Sequence, residues 1–176
     1  MNLGIHRRTL YALRDNGMLE RLDRGLYRLA DMLPLASPDL TTVALKVPEG
    51  VICLISALHF HNMTTQIPHV VTMAIKRGKE LPRLSFPPTK FFHFSDDALK
   101  HGVATHSVDD TPIRVFSPEK TLADCFKYRN KIGMDTVKEA LEMYVAKGKS
   151  KPREIIQFAK ICRVENVMRP YLEVVF

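Results

Sequence analysis

The chain has 176 residues, of which 45% are hydrophobic and 26% are charged, a composition typical of a globular protein rather than a disordered one. Its formal net charge of +7 favours an acidic partner such as nucleic acid. No apolar run approaches the ~18 residues of a membrane span, and residues 1–5 do not resemble the start of a signal peptide, so we expect a cytoplasmic protein that does not contact a membrane.

The first unit, residues 1–35, is predicted to be a helix followed by a basic β-hairpin. The helix begins near His6 and ends before Gly17, because glycine fits the left-handed position just past a helix end. Residues 18–22 and 26–29 are typical of short strands, with the turn between them. A proline-containing linker near residue 36 marks the boundary with a second unit, residues 36–176.

The second unit is predicted to have an α+β fold with a mostly antiparallel sheet and C-terminal helices. Residues 51–62 are almost wholly apolar over three turns and predict a buried helix. The predicted strands, the last two joined by a hairpin turn, are residues 69–76, 83–86, 90–94, 102–107 and 111–116. The predicted helices are residues 117–131, 135–147, 151–163 and 166–175.

The basic helix and hairpin carry the strongest functional signal. Between residues 6 and 29, six arginines stand against three acidic residues, a net charge of +3. In a helix-turn-helix protein, the first residues of the recognition helix face base edges, while a wing contacts phosphates. The pattern therefore predicts part of a winged helix-turn-helix, and a solvated helix face with ordinary surface arginines is the alternative.

A complete winged helix-turn-helix has two helices before its recognition helix, whereas five residues precede His6 here. The sequence thus predicts a partial unit. We expect the apolar side chains of residues 10–13 and 18–29 to be poorly covered.

The cysteine and histidine residues do not predict a metal site. Cys53, Cys125 and Cys162 have no CxxC spacing, so we expect reduced, buried core residues. His59 and His61 are two positions apart, and on a helix such residues point away from each other. We therefore expect neither a metal nor a cofactor.

A nuclease requires clustered carboxylates with a lysine. Asp109, Asp110, Glu119 and Lys120 come closest to this pattern. The first two residues are typical of a turn and the other two of a helix start, so the sequence predicts that the protein is not an enzyme.

Residues 114–133 (RVFSPEKTLADCFKYRNKIG) are the most distinctive segment of the second unit. Ser117 predicts a helix N-cap, and Leu122, Cys125 and Phe126 form a core stripe at helical spacing. The charged residues predict either a salt-bridged helix surface or a basic face for DNA or an acidic partner. That candidate basic partner surface comprises Lys120, Lys127, Arg129 and Lys131.

Four blocks of sequence resemble the AbiEi family of antitoxins and transcriptional regulators, which belongs to bacterial type IV toxin–antitoxin systems of phage abortive infection. Residues 4–31 (GIHRRTLYALRDNGMLERLDRGLYRLAD) resemble the family's recognition helix and wing. Residues 47–71 (VPEGVICLISALHFHNMTTQIPHVV) resemble the start of its C-terminal antitoxin domain. Residues 114–133 and 163–175 (RVENVMRPYLEVV) resemble later blocks of that domain.

The resemblance implies a two-part function. The first unit would bind inverted repeats in promoter DNA of its own operon, and the second would counter a nucleotidyltransferase toxin, with or without direct contact. By position, the DNA contacts fall on His6, Arg7, Arg8, Thr9, Tyr11 and Arg14 of the recognition helix and on Arg24 and Arg28 of the wing. The alternative is an antitoxin or protein-interaction module with a truncated DNA-binding domain that does not bind DNA.

Overall fold

A short helix opens the part of the chain that the computed structural model describes, residues 5–176; residues 1–4 of the predicted first unit lie outside it. This helix, α1 (Arg7–Asp15), begins after His6, whose ring Nδ1 accepts a hydrogen bond from the Arg8 amide at 3.3 Å. It ends where predicted, and Gly17 follows with a φ of +73°, a conformation that glycine adopts without steric cost.

An antiparallel hairpin follows α1 directly. Its strands are β1 (Leu19–Asp23) and β2 (Leu26–Leu29), joined by a tight turn in which Gly25 has a φ of +75°. The Met18 amide donates to the Leu13 carbonyl at 2.9 Å, so the helix and the hairpin are in contact. The predicted order of helix, tight turn and hairpin is therefore confirmed.

The apolar side chains of this first unit are poorly covered, as predicted. Every described residue of α1 is at least partly exposed. Met18, Leu29 and Met32 expose 58%, 53% and 55% of their surface. Because little apolar area is removed from water, the unit gains little stability from burial of its own.

A helix that was not expected from the sequence follows the linker. Helix α2 (Pro38–Lys46) has proline at its first position and packs Val43 and Ala44 into the core. Two contacts tie the first unit to this helix: Lys46 forms an ion pair with Asp23 at 3.2 Å and also donates to the Arg24 carbonyl.

The predicted helix over residues 51–62 is wrong in its first part. Val51 and Ile52 form β3 (Val51–Ile52), and the helix α3 (Leu54–Phe60) begins afterwards. A short, wholly apolar run is equally consistent with a buried strand and a buried helix. Val51 and Ile52 form a strand because they pair with a neighbouring strand on each side.

A five-stranded mixed sheet forms the centre of the second unit, in the order β5-β4-β3-β7-β6. Its remaining strands are β4 (Val71–Lys76), β5 (Thr89–Phe94), β6 (Val103–Val108) and β7 (Thr111–Phe116), with a short helix α4 (Asp96–Lys100) between β5 and β6. Strand β3 is antiparallel to β4 and parallel to β7, β4 is parallel to β5, and β6 is antiparallel to β7. With the hairpin included, three of the five strand pairs within residues 5–176 are antiparallel.

Residues 83–86 do not form the predicted strand but lie in the irregular connection between β4 and β5. Pro82, Pro87 and Pro88 surround them. Proline has no amide hydrogen to donate to a strand ladder, which disfavours pairing of this segment.

Five helices complete the described chain: α5 (Pro118–Lys127), α6 (Arg129–Ile132), α7 (Met134–Ala146), α8 (Pro152–Cys162) and α9 (Glu165–Val175). The predicted helix over residues 117–131 is therefore interrupted at Tyr128. Helix α5 packs against α3, α7, α8 and α9, and Leu122, Cys125 and Phe126 lie in the core as predicted.

All three cysteines are buried thiols, also as predicted. Along residues 5–176, no helix has both the length and the apolar character needed to cross a membrane.

The Asp109 carboxylate connects the linker to the sheet. It accepts hydrogen bonds from the amides of Ala36 and Ser37 at 2.8 and 3.1 Å and from the Thr41 hydroxyl at 3.1 Å. These donors lower the pKa of Asp109, the Ala36 amide having the largest effect. Asp109 thereby determines where the linker leaves the second unit.

We expect Asp109→Ala to increase the rate of thermolysin cleavage within residues 31–37 on the order of tenfold, because the linker loses its anchor. Asp110→Ala is the matched control, since Asp110 also has a positive φ and sits in the same turn. Equal cleavage of the two variants would contradict the prediction.

The difference between the two variants should also vanish in acid. The lowered pKa of Asp109 stabilises the fold above the ordinary aspartate pKa of about 3.9, and this stabilisation is lost as the pH falls through the lowered value.

Candidate nucleic-acid interface

The predicted DNA-contacting residues of α1 lie mainly on an open surface. His6, Arg7, Arg8, Thr9 and Tyr11 are all exposed. Within residues 5–176, neither Arg7 nor Arg8 forms an ion pair. Their guanidinium groups are therefore available to an external anion.

Arg14 closes the same helix and is less available. Its guanidinium forms an ion pair with Asp15 at 2.6 Å and lies 5.2 Å from the centre of the Tyr11 ring. These contacts hold Arg14 against the last turn of α1. The basic character of the helix is consequently concentrated in its first turn, at Arg7 and Arg8.

The two predicted wing residues have different environments. Arg24 is exposed in the hairpin turn. Arg28 is half-buried: it forms an ion pair with Glu20 at 2.9 Å and donates to the carbonyls of Met32 and Leu33 at 3.1 and 3.2 Å. Arg28 thus connects the hairpin to the linker, which leaves Arg24 as the more accessible of the two.

The candidate basic partner surface on the second unit requires a correction. Lys120 is 0% exposed and cannot contribute to any surface. Lys127 and Lys131 are exposed, while Arg129 is half-buried and donates to the Phe126 carbonyl at 2.9 Å. The surface on this side of the protein therefore includes three of the four predicted residues.

Lys120 instead forms a buried ion pair with Asp124, one helical turn later. Its Nζ lies 2.6 Å from Oδ1 of Asp124 and 4.3 Å from the centre of the Phe116 ring, and the Cys162 thiol donates to the same Oδ1 at 3.1 Å. Burial raises the pKa of Asp124, while Lys120 acts in the opposite direction. The alternative of a salt-bridged helix surface is thus wrong for this pair, because α5 is buried on that side.

The candidate residues for metal or nuclease chemistry bind different partners. Glu119 accepts a hydrogen bond from the Tyr144 hydroxyl at 2.9 Å, whereas Asp109 accepts hydrogen bonds from the linker. His61 Nε2 lies 2.7 Å from the Phe116 carbonyl, and burial lowers the pKa of His61. Among residues 5–176, no group of three or more histidine, cysteine or acidic side chains is placed to hold a metal ion.

The first unit is similar to that of a transcriptional regulator. Residues 1–30 match a family model described as a transcriptional regulator, AbiEi antitoxin. The matched segment includes α1 and the whole hairpin, which confirms the resemblance over these residues. No curated protein matches the chain significantly. The resemblance of residues 47–71, 114–133 and 163–175 stays a prediction.

Proposed function

We propose that the protein is a DNA-binding transcriptional autoregulator and the antitoxin of a bacterial type IV toxin–antitoxin system. The observation that supports this most is the pair of exposed arginines, Arg7 and Arg8, at the start of α1 and beside a hairpin that carries Arg24. This arrangement lies inside the segment that matches the AbiEi regulators.

In the proposed complex, the first turn of α1 enters the major groove of promoter DNA. A helix of nine residues is about 13 Å long, comparable with the groove width of about 12 Å. Arg7 or Arg8 can bind a guanine with two hydrogen bonds. His6 uses Nδ1 to cap the helix, which leaves Nε2 for DNA. Arg24 would contact a phosphate from the wing, while Arg28, the second predicted wing contact, holds the hairpin against the linker.

A fluorescence-anisotropy titration with the DNA upstream of the protein's own gene tests this proposal. Neutralising roughly five phosphates should give a slope of log affinity against log salt of about −4 to −5. A duplex of the same length and composition with the inverted repeats scrambled is the control. Absence of salt-sensitive binding to the promoter, or equal binding to the scrambled duplex, would contradict the proposed function as a transcriptional regulator.

The antitoxin part of the proposal concerns the second unit. We infer that it counters a nucleotidyltransferase toxin in the cytoplasm, through binding or through an opposing effect, without catalysis or a cofactor of its own. Its support is the AbiEi match of the first unit and the resemblance of later blocks. Co-expression of the full chain with such a toxin should restore growth; continued arrest at equal protein levels would contradict it.

A protein-interaction module that does not bind DNA is the second candidate. The exposed apolar side chains of Met18, Leu29 and Met32 favour it, because a protein partner that covered them would remove apolar area from water. Growth rescue together with absent promoter binding would favour this alternative. Loss of promoter binding on changing Arg7 and Arg8 would favour the regulator.

A further inference from the structure

A cavity of about 780 Å³ opens beside the junction of α5 and α6 and the turn between α8 and α9. Positive side chains dominate its charged lining. The charged residues that line it are Arg77, Asp97, Lys127, Arg129, Lys160 and Arg163. Five cationic residues and one acidic residue therefore line one concave space.

Most of these cations have no acidic partner. Within residues 5–176, no ion pair involves Arg77, Lys127, Lys160 or Arg163. The single carboxylate of the lining, Asp97, lies 3.3 Å from the His101 ring. Positive charges around a cavity raise the electrostatic potential inside it and favour the binding of an anion.

The tertiary structure brings these cations together from separate segments. Arg77 directly follows β4, Lys127 ends α5, and Lys160 lies in the last turn of α8. Arg163 has a φ of +60°, which is uncommon for a residue other than glycine, and it occupies the sharp turn into α9. Arg129 follows the break after α5, where its bond to the Phe126 carbonyl fixes its position.

We propose that this cavity binds a polyphosphate group of the kind carried by nucleoside diphosphates and triphosphates. Its volume lies within the range of about 300–1,000 Å³ typical of small-molecule sites. Arginine binds phosphate oxygens with two parallel hydrogen bonds, and lysine adds a mobile point charge. The cationic residues line a concavity rather than a ridge, which favours a compact anion over a duplex. The site lies in the second unit and is independent of α1.

Isothermal titration of the full chain with inorganic triphosphate, ATP and GTP, in magnesium-free buffer of low ionic strength, tests the proposal. The test variant is Lys127→Gln/Lys160→Gln. The matched control is Lys138→Gln/Arg153→Gln, which removes the same charge from exposed positions outside the cavity. We expect the test variant to bind triphosphate at least about tenfold more weakly and the control to stay within about twofold.

Two results would overturn the proposal: no binding of any of the three compounds, or equal weakening of triphosphate binding in the control variant. Equal affinity for triphosphate and ATP would support recognition of the phosphates alone, and tighter binding of ATP would support a whole nucleotide. Circular dichroism checks that both variants are folded. A variant with Arg7→Gln and Arg8→Gln should bind triphosphate normally, so failure of DNA binding and failure of this site are distinguishable.

Discussion

Lys120→Ala is expected to lower the free energy of unfolding by about 3–5 kcal/mol. Lys120 and Asp124 are both 0% exposed, so the substitution leaves an aspartate charge in the core without its cation. The Cys162 thiol remains as a hydrogen-bond donor to Asp124, but it carries no compensating charge. Urea denaturation followed by circular dichroism measures the loss.

The double substitution Lys120→Met/Asp124→Leu is the control for this prediction. It fills a similar volume with apolar side chains and removes both charges. Such replacements of buried ion pairs are often neutral or stabilising by about 1–4 kcal/mol. A double variant as unstable as Lys120→Ala would contradict an electrostatic origin. The loss in Lys120→Ala should also shrink as the pH falls, because an aspartate whose folded-state pKa is raised binds its proton more readily in the folded chain, and protonation removes the unpaired charge.

Arg7→Gln/Arg8→Gln is expected to weaken binding to promoter DNA by at least about 30-fold, since each base or phosphate contact of this kind contributes about 1–3 kcal/mol. With one of the two arginines on a guanine and the other on a phosphate, the slope of log affinity against log salt should become less steep by about 1. Anisotropy titrations at several salt concentrations measure both quantities.

The same charge-matched control, Lys138→Gln/Arg153→Gln, separates a local contact from a general loss of positive charge. We expect it to change promoter affinity by less than about threefold at moderate salt, where distant surface charges are screened. Equal weakening in both variants would contradict the placement of α1 in the groove. Unchanged binding in Arg7→Gln/Arg8→Gln would exclude these two arginines as contacts.

The elements that the sequence predicted well depend on local signals. The N-cap residue of α5 is Ser117 and its first helical residue is Pro118. The Ser117 hydroxyl accepts a hydrogen bond from the Lys120 amide, as is typical of an N-cap. Gly17 and Gly25 mark the two turns of the first unit through their positive φ. Such signals act within a few residues, so they can be recognised without knowledge of the fold.

The candidate surfaces could be predicted in part. Exposed arginines at the start of α1 followed from their position in a short amphipathic helix. The bonds that Arg28 forms with Glu20 and with the linker carbonyls could not be predicted, because they depend on how the hairpin and the linker pack together. The cavity between α5 and the α8–α9 turn was likewise not predicted, since its cations are far apart in the chain.

The sequence by itself determined the local elements of the first unit, most of the helices and the positive charge of the chain, because caps, glycine turns and composition do not depend on distant residues. The tertiary structure alone decided that Val51 and Ile52 form a strand, through pairing with β4 and β7. It also decided that Lys120 lies inside the protein. Helix α5 is covered by helices α3, α7, α8 and α9. Burial by these distant segments turns a charged position that is typical of a helix surface into a buried ion pair.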